Sequence, residues 1–192
     1  MPEDSGITWA TVARRIRVPV GFAFAALYLW LARPTGVSIL GGAAFIALGV
    51  LVRALASGQL NKNEQLAVGG PYAYTRNPLY LGSLVLALGF AIAARSLWVV
   101  AIIGVIFAAI YIPVIKSEEV FLRKKFPGFD KYALEVPSLI PRLTSLHRYD
   151  HQFSWKLYLK HREYNAALGS AGLIAALAVK LLWLAILDKG KP

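Results

Sequence analysis

The sequence predicts an all-α integral membrane protein with about five transmembrane helices and a cytoplasmic interfacial helical segment between the fourth and the fifth. Three observations support this fold class. Hydrophobic residues make up 57% of the 192-residue chain, and its mean hydropathy is +0.55. Charged residues make up only 16%, against roughly 25% in a soluble domain. The apolar residues also fall in long continuous runs, which are typical of membrane helices.

Five apolar runs define the expected helices of a single domain that covers residues 1–192. They lie at residues 18–32, 37–57, 79–94, 97–115 and 166–187. Arg14, Arg15 and Arg17 precede the first run, which we interpret as an uncleaved span because no small-residue cleavage site follows it. The small residues of the second run, such as Gly42 and Gly49, predict a closely packed neighbouring helix.

The third and fifth runs are less regular than the others. Residues 79–94 extend about 24 Å as a helix, which is shorter than the roughly 30 Å hydrocarbon core. The polar loop before this run is therefore expected to lie below the membrane surface. The fifth run contains Lys180, so it either spans the membrane with Lys180 reaching towards the nearer interface, or packs along the bundle.

The formal net charge of +11 does not indicate nucleic-acid binding, because the basic residues lie beside apolar runs. Most of them fall on the side that carries residues 53–78 and the polar segment 116–164, whereas the opposite turns carry only Arg33 and Arg95. The positive-inside rule therefore predicts a multi-pass protein of the cytoplasmic membrane whose polar segments face the cytoplasm.

Metal binding and disulfide bonding are not expected. The chain has no cysteine, which excludes disulfides and thiolate metal sites. His147 and His151 would share one helix face, with Asp150 beside them, but no third ligand follows at a fitting spacing.

A polar hinge, residues 69–82, separates the second and third runs. Its prolines disfavour helix at Gly70 and Asn77, and Pro78 suits the first position of the next helix. Asn77 is placed to cap that helix. The free N–H groups at residues 79–81 would then point into the loop and favour an electron-rich group. The alternative is a well-capped turn without a ligand.

Glu118 and Glu119 stand side by side at the end of the fourth run. Adjacent carboxylates at a membrane boundary repel each other, and a bound group that offers donors or positive charge would offset that cost. The alternative is a solvated helix end with nearby lysines and arginines as partners. Basic and aromatic residues then alternate over residues 121–142, as in a helix that lies in the membrane interface.

Together these motifs resemble the isoprenylcysteine carboxyl methyltransferase and phospholipid methyltransferase superfamily. The resemblance covers roughly residues 50–143. The matching positions are Gly70-Pro71-Tyr72, Tyr74, Arg76-Asn77-Pro78, Tyr80 and Gly82, then Glu118-Glu119 and Leu122, then Tyr132, Val136-Pro137 and Pro141-Arg142.

Two positions depart from the pattern of that superfamily. Many members have His where this chain has Asn77, so a protonated imidazole is not available there. The Phe-Gly pair of the downstream segment is shifted to Phe126-Pro127-Gly128, and Phe129 replaces a tyrosine.

The resemblance implies a membrane methyltransferase that uses S-adenosylmethionine and takes a lipid or lipidated acceptor from the bilayer. The acceptor is an isoprenylcysteine carboxylate, a phospholipid amine or a similar group. By position, the implied cofactor-binding residues are Tyr74, Arg76, Asn77, Pro78, Leu79, Tyr80, Glu118 and Glu119, and the implied catalytic residues are Glu119, Arg123 and Arg142. The alternatives are a non-catalytic small membrane protein, such as a scaffold or transport subunit, and a sterol-reductase-like enzyme.

Overall fold

The computed structural model describes residues 9–61, 64–144 and 153–189. These residues form helices and connecting turns, and no strand occurs among them. The helices are α1 (Trp9–Leu31), α2 (Gly36–Ser57), a short 3-10 helix (Gly70–Ala73), α3 (Pro78–Ala94), α4 (Leu97–Ile106), a π-helical turn (Phe107–Tyr111), α5 (Ile112–Lys125), α6 (Phe129–Glu135), α7 (Trp155–Lys160) and α8 (Tyr164–Lys189). The predicted all-α membrane fold class is confirmed.

Three helices are long and apolar enough to cross a membrane: Gly36–Ser57, Leu97–Lys125 and Tyr164–Asp188. Two shorter apolar helices, Val18–Leu31 and Pro78–Ala94, accompany them. The fourth helix continues to Lys125 rather than ending at residue 115, since no helix breaker occurs between residue 115 and Pro127. Glu118 and Glu119 therefore lie within a helix, and not at its end as the hydropathy pattern predicted.

Helices α2 and α3 pack against each other through two reciprocal glycine contacts. A Cβ atom on Gly42 would lie 2.5 Å from the Gly89 carbonyl oxygen, and one on Gly49 would lie 2.7 Å from the Gly82 carbonyl oxygen. The same close approach is seen from Gly82 and Gly89. Small residues thus bring the two backbones into direct contact, as the second apolar run predicted.

The helix from Leu97 to Lys125 is interrupted by the π-helical turn and by Pro113, two residues after it. Proline has no N–H group, so the carbonyl of Ala109 lacks its usual α-helical donor at position 113. The indole Nε1 of Trp9 donates to that carbonyl at 2.8 Å. The beginning of α1 is thereby fixed against the middle of this helix.

The opposite end of the bundle, formed by the turns at residues 32–35 and 95–96, uses its polar groups to terminate helices. The Nζ atom of Lys180 donates to the carbonyl oxygens of Leu29 at 2.5 Å and Ala32 at 2.6 Å, at the end of α1. The Ser38 hydroxyl donates to the carbonyl of Ala93 at 3.1 Å. Lys180 therefore satisfies backbone carbonyls inside the bundle.

Candidate functional site

The hinge lies at the other end of the bundle, beside Glu118 and Glu119, and we call this end the site end. It begins with the 3-10 helix Gly70–Ala73. Gly70 has a φ of +53°, in the left-handed region that favours glycine. The side-chain amide of Gln59 packs where a Cβ atom on Gly70 would stand. The turn therefore requires glycine for its conformation, and a larger residue would also displace the end of the Gln59 side chain.

Asn77 precedes α3, but its side chain does not cap the helix. Its Nδ2 donates to Glu119 Oε1 and to the Ser138 carbonyl oxygen, both at 2.9 Å. The N–H groups of Tyr80 and Leu81 donate instead to the backbone carbonyl of Asn77, each at 3.0 Å. The expectation of a side-chain cap was therefore wrong, because the Nδ2 hydrogen bonds to Glu119 and Ser138 orient the amide towards α5 and the segment after α6. The expectation of free N–H groups at Tyr80 and Leu81 was wrong because both donate to the Asn77 carbonyl.

Arg76 and Glu119 form a largely buried ion pair that connects the hinge to α5. Arg76 Nη2 lies 3.0 Å from Glu119 Oε2, and its Nε also donates to this carboxylate. Arg76 Nη1 donates to the carbonyl oxygens of Ala133 at 2.8 Å and Val136 at 2.6 Å. Every nitrogen of the guanidinium group is thus engaged with protein acceptors.

The segment that follows α6 closes over the hinge through backbone hydrogen bonds. The N–H of Arg76 donates to Pro137 O at 2.9 Å, and the N–H of Arg142 donates to Tyr74 O at 3.0 Å. The Ser138 hydroxyl donates to Glu119 Oε1 at 2.5 Å. We call residues 129–142, which comprise α6 and the segment after it, the cap segment.

Two buried tyrosines complete the contact between the cap segment and the hinge. The Tyr132 hydroxyl donates to the Tyr72 carbonyl oxygen at 2.7 Å. Burial raises the pKa of Tyr132 and of Tyr72 above the ordinary value of 10.0, so that both hydroxyls stay protonated and able to donate.

A cavity of about 370 Å³ lies at the site end, between the hinge and α5. This volume falls within the range of roughly 300–1,000 Å³ that is usual for ligand pockets. Its lining residues are Leu60, Gln65, Leu66, Ala67, Tyr72, Arg76, Asn77, Pro78, Leu79, Tyr80, Glu118, Phe121, Leu122 and Phe126. The walls are mostly apolar, and the polar residues among them are Gln65, Tyr72, Arg76, Asn77, Tyr80 and Glu118.

Glu118 contributes a carboxylate to this cavity. Its Oε1 accepts a hydrogen bond from the Tyr80 hydroxyl at 2.9 Å. The Tyr80 and Tyr111 rings pack edge to face, with centroids 5.9 Å apart. A carboxylate in this position can bind a cationic or hydroxyl-bearing ligand, or accept a proton from one.

The structure brings together most of the predicted cofactor-binding residues. Arg76, Asn77, Pro78, Leu79, Tyr80 and Glu118 all line the cavity. Tyr74 and Glu119 lie outside the lining: the Tyr74 side chain is exposed, and the Glu119 carboxylate is engaged with Arg76, Asn77 and Ser138.

Arg123 and Arg142, which were predicted to be catalytic, also lie outside the cavity lining. Arg123 forms an exposed ion pair with Asp130 at 2.7 Å. Arg142 Nη1 donates to the carbonyl oxygen of Glu135 at 2.6 Å. The two guanidinium groups thus contact the cap segment rather than the cavity.

Sequence reasoning missed Ser138 and the residues just before the hinge that line the cavity, such as Leu60 and Leu66. Ser138 stands directly after Val136-Pro137, and this proximity to a motif was the one available signal. Its contact with Glu119 depends on how the cap segment folds back, which no periodicity in the sequence indicates.

A second, smaller cleft lies at the depth of the membrane-spanning helices. It has a volume of about 130 Å³ and is almost entirely apolar. Its lining residues are Val20, Gly21, Phe24, Ser83, Ala87, Ile103, Ile106, Phe107, Ile110 and Tyr111. Tyr111 lines this cleft and Tyr80 lines the cavity, so the two contacting rings stand between the two spaces.

Among residues 9–61, 64–144 and 153–189, no group of three or more His, Cys, Asp or Glu side chains could hold a metal ion. His147, Asp150 and His151 lie outside these described residues.

Comparisons with known proteins identify one family and two relatives. The family model for phospholipid methyltransferase matches residues 20–128. The cobalt-zinc-cadmium resistance protein CzcN of Cupriavidus metallidurans is 34% identical over 160 residues, which cover 79% of this chain and 72% of that protein. The nickel-cobalt-cadmium resistance protein NccN of Alcaligenes xylosoxydans xylosoxydans is 39% identical over 83 residues, which cover 43% of this chain and 39% of that protein. No solved structure gives a significant match.

Proposed function

Because this chain belongs to the phospholipid methyltransferase family, we propose that it transfers a methyl group from S-adenosylmethionine to a lipophilic acceptor at the membrane. The observation that carries the proposal is the cavity that the hinge and Glu118 line together. Sequence motifs that are far apart in the chain meet there around one space of ligand size.

The cavity residues fit the proposed cofactor in size and in chemistry. S-adenosylmethionine combines a flat aromatic ring with sugar hydroxyls, a charged sulfonium and an amino-acid group. The apolar side chains of Leu60, Leu66 and Phe121 suit the faces of the ring, and the Glu118 carboxylate suits the hydroxyls and the cationic groups. When bound, the cofactor supplies an electrophilic methyl group, and the protein contributes alignment and exclusion of water.

For the acceptor, the charges around the cavity favour an amine over a carboxylate. Among the described residues that line the cavity, Arg76 is the only cationic one. Its nitrogens are already bound to Glu119 and to two carbonyl groups. It could bind an acceptor carboxylate only by releasing those partners. An amine must lose a proton to attack a methyl group, and Glu118 is placed in the lining to accept it.

The apolar cleft supports an acceptor that carries a hydrocarbon chain. It lies among α1, α3, α4 and the π-helical turn, and its lining is mostly apolar. The excess of basic residues at the site end supports an orientation with the cavity facing the cytoplasm.

Binding of S-adenosylhomocysteine to the purified protein in detergent tests the cofactor. We expect a Kd of about tens of μM or lower by isothermal titration calorimetry, which corresponds to roughly −6 to −7 kcal/mol. Glu118→Gln should weaken binding about tenfold, because a neutral amide replaces a charged acceptor. Glu64→Gln removes the same charge from an exposed residue outside the lining and serves as the control. Absence of binding to the unmodified chain would favour a non-catalytic membrane protein.

The acceptor can be identified by incubating membranes with S-adenosylmethionine labelled in its methyl group. We expect the label in the lipid extract, in a form that survives mild alkali, since N-methyl groups resist conditions that hydrolyse methyl esters. Alkali-labile label in the protein fraction would instead indicate a carboxylate acceptor such as isoprenylcysteine.

A further inference from the structure

A second ion pair lies at the site end, outside the cavity. Arg53, near the end of α2, binds Glu163, the residue before α8. Arg53 Nη2 lies 2.8 Å from Glu163 Oε2 and 3.0 Å from Oε1, and Nε lies 3.0 Å from Oε2. Both side chains are largely buried, and a pair of this geometry strongly fixes the direction of the guanidinium group.

The same guanidinium group also holds the first turns of α3. Arg53 Nη1 donates to the carbonyl oxygen of Leu79 at 3.3 Å and to the Ser83 hydroxyl. A Cβ atom on Gly82 would lie 2.6 Å from Arg53 Cγ, so the stem of Arg53 lies directly on the α3 backbone. Arg53 therefore connects α8 with the part of α3 that forms a wall of the cavity.

Leu79 and Tyr80 line the cavity, whereas Arg53 and Glu163 do not. Burial raises the pKa of Tyr72, and among the nearby charges that raise it further are those of Glu118 and Glu163. Glu163 thus lies on the same side of the bundle as the cavity. It also lies outside the matched family range, residues 20–128.

We propose that Arg53 and Glu163 are positioning residues, which hold the first turns of α3 where the cavity requires them for ligand binding. Through this pair α8 contributes to a site that it does not line. The proposal concerns the cofactor cavity and rests on the proposed function in that respect. The position of α3 can also be measured without any ligand.

The first measurement is amide hydrogen exchange of residues 79–83 in the ligand-free protein. Glu163→Gln keeps the shape of the side chain but removes its charge, so Arg53 loses its fixed direction. We expect these amides to exchange at least about fivefold faster, a factor that corresponds to about 1 kcal/mol. If Glu163→Gln does not fold in detergent, Glu163→Asp provides a milder change.

The matched control is Lys180→Met, which removes a second anchor of α8 at the opposite end of the bundle. It should lower the thermal midpoint without faster exchange at residues 79–83. If Glu163→Gln behaves in the same way, the ion pair only stabilises the bundle and the positioning role is refuted.

Ligand binding provides the second measurement. The charge-swapped double variant, Arg53→Glu with Glu163→Arg, restores opposite charges between α2 and α8. However, a carboxylate at position 53 cannot donate to the Leu79 carbonyl. We expect the thermal midpoint to recover while the Kd for S-adenosylhomocysteine stays raised about tenfold. Recovery of both would overturn the proposal. If the unmodified chain binds no S-adenosylhomocysteine, the proposed function fails, and the exchange rates alone decide the positioning role.

Discussion

The two ends of the helical bundle use polar residues differently. At the opposite end, Lys180 donates to the last carbonyls of α1, and Ser38 donates to a carbonyl near the end of α3. At the site end, charged side chains bind one another, and Glu118 faces an open cavity. A charge in a membrane protein therefore indicates a site only where it faces space that a ligand can occupy.

From this comparison of the two ends, we expect the largest loss of stability when the buried ion pair between Arg76 and Glu119 is broken. Their side chains are 13% and 19% exposed, so Arg76→Ala leaves a largely buried carboxylate without its cation. We expect the free energy of unfolding to fall by about 3 kcal/mol or more, with loss of S-adenosylhomocysteine binding. Denaturant unfolding and calorimetry would measure the two effects.

Arg123→Ala is the matched control for that change. Arg123 and Asp130 are 55% and 68% exposed, so loss of this pair should cost less than about 1 kcal/mol. A fall in methyl transfer at unchanged stability would keep Arg123 as a catalytic candidate. An equal loss of stability in both variants would contradict the distinction between buried and exposed pairs.

The glycine contacts between α2 and α3 allow a sharper comparison of the two ends. A Cβ atom would lie too close to the neighbouring backbone at Gly82, near the cavity, and at Gly42, near the opposite end. Both Gly82→Ala and Gly42→Ala should lower stability by about 1–3 kcal/mol. Only Gly82→Ala should also weaken S-adenosylhomocysteine binding, because it shifts the first turns of α3.

Gly104→Ala serves as the control for these variants, since no other atom lies within 4 Å of its would-be Cβ. It should leave the thermal midpoint and the binding affinity unchanged. Weaker binding in Gly42→Ala would show that the two ends are not independent.

The smallest predicted effect concerns the hydroxyl of Tyr132. Tyr132→Phe removes the hydrogen bond to the Tyr72 carbonyl and should cost about 1 kcal/mol at neutral pH. Burial raises the pKa of Tyr132 above its ordinary value of 10.0, so the unfolded chain releases this proton first as the pH rises. The contribution to stability is therefore complete below about pH 10 and is lost above it.

Thermal midpoints at pH 8 and above pH 10 would measure this dependence. The decline on alkalisation should be less steep in Tyr132→Phe than in the unmodified protein. An equally steep decline in Tyr132→Phe would remove Tyr132 from this effect.

The meeting of the hinge with the acidic pair could be predicted from the sequence, because one helical hairpin separates them and returns the chain to the same end. Asn77 and Glu119 do lie in hydrogen-bond contact. The sequence could not predict that Glu118 would line the cavity while Glu119 would bind Arg76 and Ser138. This difference depends on the direction in which each side chain leaves α5 and on the return of Ser138 to that helix.

Lys180 shows the same limit for the fold. Hydropathy indicated an apolar helix that contains one lysine, but the three carbonyl groups that this lysine satisfies belong to a distant part of the chain. The length of the helix that carries Glu118 was also underestimated. The apolar run ends at residue 115, but the backbone stays helical through the polar residues as far as Lys125.

The π-helical turn at Phe107–Tyr111 determines how α5 is rotated about its own axis relative to α4. Such a turn takes up one residue more than an α-helical turn, so the helix beyond it is rotated by about 100° relative to an uninterrupted one. The way this turn accommodates its extra residue therefore determines the direction in which Glu118 and Glu119 project from α5. A single-residue deletion within 107–111 would convert the turn to regular α-helix and leave both carboxylates facing the hinge, whereas a deletion between residues 112 and 117 would rotate them by about 100°, away from it.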